Sequence, residues 1–218
     1  MVVNSMDYLV DSDIYRKPLI IAFGGISGQI HQPLFEFKTF LQNNIDCHFI
    51  YLKDTKQAWY QLGVVGLGDT ITDVSNNLKE IIKNINYSTI ITIGSSMGGY
   101  AAMLFGSLIG ANSILAFGPQ TFICPNRLRA VGDTRVIGPI DAMHAVVNVM
   151  YDDLTKLDYG QGDINIIYGN EDALDRIHAE RIRGARITAY SGNHSVVKTL
   201  RDNGILIQII KNIINKYE

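Results

Sequence analysis

The stretch "GSSMGGY", residues 94–100, decides how this chain is read. It lies between an apolar run, "STIITIG" (88–94), and a helix-like run, "YAAMLFGSLIG" (100–110). Gly94-Ser95-Ser96-Met97-Gly98 fits G-x-S-x-G, with Ser96 at its centre. A serine on a very sharp strand-to-helix turn takes a strained backbone conformation, and side chains two positions either side would collide there. Glycine at 94 and 98 removes the collision. The turn then lifts the hydroxyl above the sheet, ahead of a helix N-terminus. Ser95 lacks this flanking pattern and faces the other way. By itself the stretch also suits a phosphate-binding turn or a plain tight turn. A P-loop is disfavoured because no lysine follows the glycines, and G-x-G-x-x-G does not fit.

Apolar and amphipathic runs alternate on both sides of this turn. "PLIIAF" (18–23), "CHFIYL" (47–52), "STIITIG", "NSILAF" (112–117), "DINIIYG" (163–169) and "ARITAY" (185–190) read as strands. "PLFEFKTFLQNN" (33–44), "ITDVSNNLKEIIKNI" (71–85), residues 97–109 and 195–217 read as helices, the last with a break at Gly204. Strands apolar on both faces that alternate with helices predict a mostly parallel sheet covered on both sides. Residues 118–162 break the rhythm and read as an insertion near the carboxyl edge of the sheet, where such folds carry their sites. The chain is long enough for one sizeable core, so 1–218 is expected to be a single domain.

A serine nucleophile needs a base, and the base needs an orienting acid. "INIIYGNEDALD" supplies a strand, then Gly169, Asp172 and Asp175; "ITAYSGNHSVV" supplies a strand, then Gly192 and His194. Ser96, Asp172 and His194 would therefore meet on one carboxyl edge. Asp172 is preferred on its G-x-x-D spacing, and Asp175 is the alternative, otherwise a charge in the first turn of the next helix.

With "GSSMG" as nucleophile elbow, "YGNED" as acid turn and "SGNH" as histidine loop, the chain resembles the α/β-hydrolase fold family from about residue 18 onward. The resemblance implies a serine hydrolase with a Ser–His–Asp triad and neither metal nor redox cofactor. It implies an oxyanion hole built from the N–H of Met97 and an N–H just after the first long strand. In "FGGISG" the register points to Gly25, with Ile26 close behind. The expected activity is cleavage of an ester or thioester through an acyl-enzyme. Amide cleavage, acyl transfer to another acceptor, and a non-catalytic ligand-binding protein of the same shape are the alternatives. The insertion is too short for a large lid and would form a minimal cap.

Residues 53–70 form a long loop with the sole tryptophan, and long loops in compact domains are more often functional than accidental. Trp59 and Tyr60 are expected to line the site entrance, with packing onto the sheet as the other reading. Gln120, just past "AFGP", is a further pocket residue. His31 could sit at the rim and His144 line the pocket. His48 reads as a satisfied core residue, and His178 as one on a helix face. No H-x-x-x-H spacing points to a metal.

Charge excludes other classes. Lys and Arg total 19 against 21 Asp and Glu, for a net charge of −2. No basic field argues for nucleic acid or an anionic membrane surface, so the expected partner is a small acyl substrate. Arg176, Arg181, Arg183 and Arg186 read as a solvated helix face. Cys47 and Cys124 lack motif spacing and suggest reduced thiols. The first residues have no basic region and no long apolar run, so a cytoplasmic protein is expected.

Overall fold

The computed structural model describes residues 2–5, 7–26, 35–147 and 149–218. In chain order the elements are β1 (Val2–Asn4), β2 (Tyr8–Asp11), β3 (Lys17–Phe23), α1 (Lys38–Asn44), β4 (His48–Leu52), α2 (Ile71–Lys83), β5 (Tyr87–Ser95) and α3 (Met97–Ile109). They continue with β6 (Ser113–Phe117), α4 (Pro125–Ala130), α5 (Ile137–Val146), β7 (Asp163–Gly169), α6 (Ala173–Glu180), β8 (Arg186–Tyr190), α7 (Val196–Asp202) and α8 (Ile205–Asn215). A short 3₁₀ turn, Leu154–Lys156, precedes β7.

All strands join one eight-stranded sheet in the order β1-β2-β4-β3-β5-β6-β7-β8. The pairs β1–β2 and β2–β4 are antiparallel, and every pair from β4 to β8 is parallel. The six runs read as strands are therefore strands, and the first two strands extend the sheet at one edge. Leu9 and Val10 of β2 are both buried, although acids at 7, 11 and 13 break the apolar pattern around them.

Burial on both faces follows the period of two that strand geometry imposes. Leu19, Ile21 and Phe23 of β3 enter one core, with α2, α3, Trp59 and Tyr60. Ile20 and Ala22 enter the other, with Leu41 of α1, Val196 and Leu200 of α7, and Leu206, Ile210 and Ile214 of α8. Helix α3 is buried from Met97 to Gly106, which fixes its N-terminus at the sheet centre.

One helix boundary differs from the sequence reading, and one break falls where it was expected. Phe37 has φ 66°, a left-handed conformation that cannot be helical, so α1 starts at Lys38; residues 33 and 34 lie outside the described set. The C-terminal run splits at Gly204, whose φ of 69° separates α7 from α8. Residues 118–162 connect β6 to β7 and carry α4 and α5. The carboxyl ends of β3, β5, β6, β7 and β8 open on one edge, where the loops carrying Gly25, Ser96, Gly118, Asp175 and His194 gather.

Candidate active site

Ser96 sits between β5 and α3 with φ 56° and ψ −120°, a strained pair for a residue with a side chain. Its backbone is fixed on both sides: its N–H donates to Phe117 O at 2.8 Å, and its carbonyl accepts from Tyr100 N at 3.0 Å. The flanking glycines are demanded by contact. A Cβ on Gly94 would lie 2.0 Å from Gly98 O, and one on Gly98 would lie 2.3 Å from Phe23 O.

His194 follows β8 and reaches back over the sheet edge. Its Nε2 lies 3.0 Å from Ser96 Oγ. Its Nδ1 lies 2.9 and 2.8 Å from the two carboxylate oxygens of Asp175. Both nearest atoms are carboxylate oxygens that can only accept, so Nδ1 donates to the acid and Nε2 is left to accept the serine proton. The side-chain amide of Gln120 donates to Ser96 Oγ at 3.1 Å.

The acid facing the histidine is Asp175, which corrects the preference for Asp172. Asp172 caps α6 instead, its Oδ1 accepting from Leu174 N at 3.0 Å and Asp175 N at 2.9 Å. An aspartate at N-cap places the residue three positions on in the first turn, and that turn faces His194. The overlooked sequence signal was the cap itself, an Asp immediately before "ALDRIHAE". Asp175 is fully buried. Gly118 makes the room: a Cβ there would lie 2.7 Å from Asp175 Oδ2 and 3.2 Å from His194 Nδ1, and its φ is 47°.

Behind the acid lies a partly buried network that sequence reasoning missed. Arg135 Nη1 donates to Asp175 Oδ1 at 2.8 Å and to Asp172 Oδ2 at 3.1 Å. Its other nitrogens hold Asp133, at 2.7 Å from Nη2 and 3.0 Å from Nε. The 3.4 Å approach of Arg135 Nη1 to His194 Nδ1 is a contact between two donors, not a hydrogen bond. His178, read as a helix-face residue, is buried: Nδ1 accepts from Thr121 N at 3.0 Å, and Nε2 lies 3.2 Å from Asp133 Oδ2.

Electrostatics follow from these contacts. Burial alone would raise the Asp175 carboxyl, but the hydrogen bond and charge of His194, together with Arg135, outweigh it and hold it below the ordinary carboxylate range. Burial also opposes ionisation of Asp133, and His178 and Arg135 overcome it and hold the group well down. Burial lowers His178 despite the Asp133 beside it. Asp172, Asp175 and His194 bring ligand-type atoms within 4.8 Å of one another. The Arg135 guanidinium is bonded to both carboxylates, so a cation already occupies that ground.

The two residues expected to form an oxyanion hole are placed differently from one another. Met97 is the first residue of α3, so its N–H has no carbonyl a turn back to receive it. The Gly25 N–H is already engaged, donating to Glu36 Oε2 at 2.7 Å. The N–H expected as the second oxyanion donor is thus held in this structure by a carboxylate in the segment leading to α1. Burial pushes the Glu36 carboxyl up to about 7, against the pull of that one backbone bond.

Ile26 lines the cavity beside Ser96. Trp59 and Tyr60 do not: both are fully buried in the core, which corrects their placement at the entrance. The physical cause is Asp54, whose Oδ2 accepts from Ala58 N at 2.7 Å and Tyr60 N at 2.8 Å and folds the loop inward. Tyr60 packs edge-on against Phe23 and donates to Gly24 O at 3.0 Å, so it braces the strand end from behind. His144 Nε2 meets Ile123 O at 2.9 Å instead of lining the cavity. His48 is buried against Tyr15 O at 2.9 Å, a satisfied core residue. Arg181 is not merely solvated: it grips Asp153 with two nitrogens, at 2.9 and 3.0 Å, over the Phe122 ring. His31 lies outside the described residues.

Comparison with solved structures places this arrangement. The capsule O-acetyltransferase of Neisseria meningitidis serogroup A is similar at TM-score 0.65 and 19% identity, over 95% of this chain and 90% of that one. Est1E from Butyrivibrio proteoclasticus is similar at TM-score 0.62 and 12% identity, over 98% of each chain. The S-formylglutathione hydrolase FrmB from Staphylococcus aureus is similar at TM-score 0.57 and 15% identity, over 100% of this chain and 97% of that one. The chain has an α/β-hydrolase fold. No protein-family model and no curated protein sequence matches the chain. Among the described residues no helix is long and apolar enough to cross a membrane.

Proposed function

We propose that the protein is a serine-dependent enzyme that cleaves a small ester or thioester through an acyl-enzyme, with Ser96, His194 and Asp175 as its triad. The observation that carries this reading is the pair of contacts on one imidazole: Ser96 Oγ at 3.0 Å from Nε2 and Asp175 at 2.8 Å from Nδ1. In this scheme Ser96 Oγ attacks the carbonyl carbon as its proton passes to Nε2. Asp175 holds the tautomer and stabilises the imidazolium. The tetrahedral intermediate collapses, and Nε2 returns the proton to the leaving oxygen or sulfur. Water, activated by the same nitrogen, then releases the acid and restores Ser96.

The oxyanion would be received by the Met97 N–H, joined by Gly25 once Glu36 leaves it. Gln120 steadies Oγ before attack. Residues 118–162 are read as bracing the acid through Arg135 and Asp133, since none of their described members lines the cavity. Acyl transfer to an acceptor other than water is the second reading, supported by the likeness to a capsule O-acetyltransferase. The test is turnover of p-nitrophenyl acetate, with and without added alcohol acceptors. Wild-type activity lost in Ser96→Ala and retained in Ser95→Ala supports the proposal. Equal activity in Ser96→Ala and wild type overturns it.

A further inference from the structure

The cavity beside Ser96 has a volume of about 610 Å³, far more than an acetyl group needs and within the usual range for a small-ligand site. It lies between the segment entering α1 and helix α7. Its wall carries four cations, Lys38, Lys53, Lys198 and Arg201, against one acid, Glu36. That local excess of positive charge stands on a chain whose net charge is −2.

The cations are poorly neutralised. Arg201 Nε meets only the exposed carboxylate of its neighbour Asp202, at 3.2 Å. Lys53 Nζ forms a longer ion pair with the buried Asp7 Oδ1 at 3.8 Å, so this cation is partly neutralised and takes no part in the proposed seat. Among the described residues, no carboxylate pairs with Lys38 or Lys198. The single acid does not compensate them either, because Glu36 is turned onto the Gly25 N–H at 2.7 Å. Lys198 and Arg201 are exposed and Lys38 is half-buried, so all three stay hydrated while presenting positive charge along one side of the cavity, where an entering anion is attracted. A neutral ester would gain nothing from this wall.

We propose that the substrate handled at Ser96 carries a negatively charged group, a phosphate or a carboxylate, that seats against Lys38, Lys198 and Arg201. This deepens the acyl-enzyme reading and rests on it for the chemistry at Ser96, but not for the binding of the anion. The charge lies on the leaving-group side or on the acyl side of the scissile bond, and matched substrates separate the two. Acetyl-coenzyme A against S-acetyl-N-acetylcysteamine compares thiol leaving groups with and without phosphates. p-Nitrophenyl hydrogen glutarate against p-nitrophenyl valerate compares acyl groups with and without a carboxylate.

One anionic member should exceed its neutral partner at least 10-fold in kcat/KM, through a lower KM. In Lys38→Met/Lys198→Met that advantage should fall by about 10-fold, and 0.5 M salt should erode it in the wild type. Equal kcat/KM within both pairs, or a preference that survives the double variant in a folded protein, overturns the proposal. Calorimetry on Ser96→Ala with coenzyme A and with glutarate reads the anion without turnover. Saturable binding that weakens in the lysine variants, in a protein that turns over no ester, would sink the acyl-enzyme reading and sustain this one. Normal ester turnover without binding of either anion would do the reverse.

Discussion

Replacing Asp175 with asparagine preserves shape and removes charge, and the surroundings dictate which way the new amide turns. Arg135 Nη1 stands 2.8 Å from Oδ1 and can only donate, so it claims the amide oxygen. The amide NH₂ is then left facing His194 Nδ1, where the carboxylate oxygens had stood at 2.8 and 2.9 Å. The imidazole must accept at Nδ1 and carry its proton on Nε2, pointing at a serine hydroxyl it can no longer deprotonate. Loss of the useful tautomer costs about 10⁴-fold in kcat, equivalent to about 5.5 kcal/mol of barrier. Asp172→Asn should do almost nothing by comparison. Asparagine caps a helix about as well as aspartate, so kcat should stay within about 3-fold. Asp172→Ala loses the cap, worth about 1 kcal/mol, and lowers Tm by about 3 °C. The assay is p-nitrophenyl acetate hydrolysis normalised to titrated active sites, with circular dichroism to confirm folding. If Asp172→Asn costs more than Asp175→Asn in folded protein, the acid has been misassigned.

Three further outcomes follow from the same geometry. Gly118→Ala forces a Cβ to 2.7 Å from Asp175 Oδ2, so kcat should drop by about 100-fold or more; unchanged kinetics would show that the acid does not need that position. Glu36 has a raised folded pKa of about 7, so the folded state holds its proton longer than the unfolded chain, and stability falls as pH rises through that range. Glu36→Gln should therefore gain at most about 2 kcal/mol on wild type between pH 5.5 and 8.5, read as a Tm difference that widens with pH; a constant difference refutes the buried acid. Arg135→Met strips the cation from Asp133 and Asp175, whose folded pKa values are lowered, so their contribution is present above the ordinary carboxylate range and lost as pH falls. The variant should lose about 2 kcal/mol at pH 7, with the gap closing toward pH 3 in thermal melts.

The sheet was legible because its inner strands are apolar on both faces and its helices run between them, a pattern set by period alone. The first two strands were not: β2 is four residues long and ends in Asp11, and Asp7 beside it is buried with Thr55 donating to it at 2.6 Å and Lys53 Nζ at 3.8 Å. Ser96 and His194 were legible because the elbow's glycines answer a local clash and the histidine follows its own strand. The acid was misread because spacing after Gly169 favoured the first aspartate, whereas a helix cap consumes that residue. Trp59 and Tyr60 were misplaced for a similar reason. The loop's length suggested a place at the site entrance, but Asp54 spends its carboxylate on the loop's own backbone and turns the aromatics inward. Arg135 on the acid and Glu36 on Gly25 join residues 40 and 11 positions apart in sequence, and no local pattern announces either.

The central claim is that His194 activates Ser96, and a fluorophosphonate probe with peptide mapping by mass spectrometry tests it most directly. One adduct per chain is predicted, on the peptide that contains Ser96. The adduct should be absent in Ser96→Ala, present in Ser95→Ala and formed at least 1000-fold more slowly in His194→Ala. An adduct on another residue, or equal labelling of wild type and His194→Ala, would contradict the account.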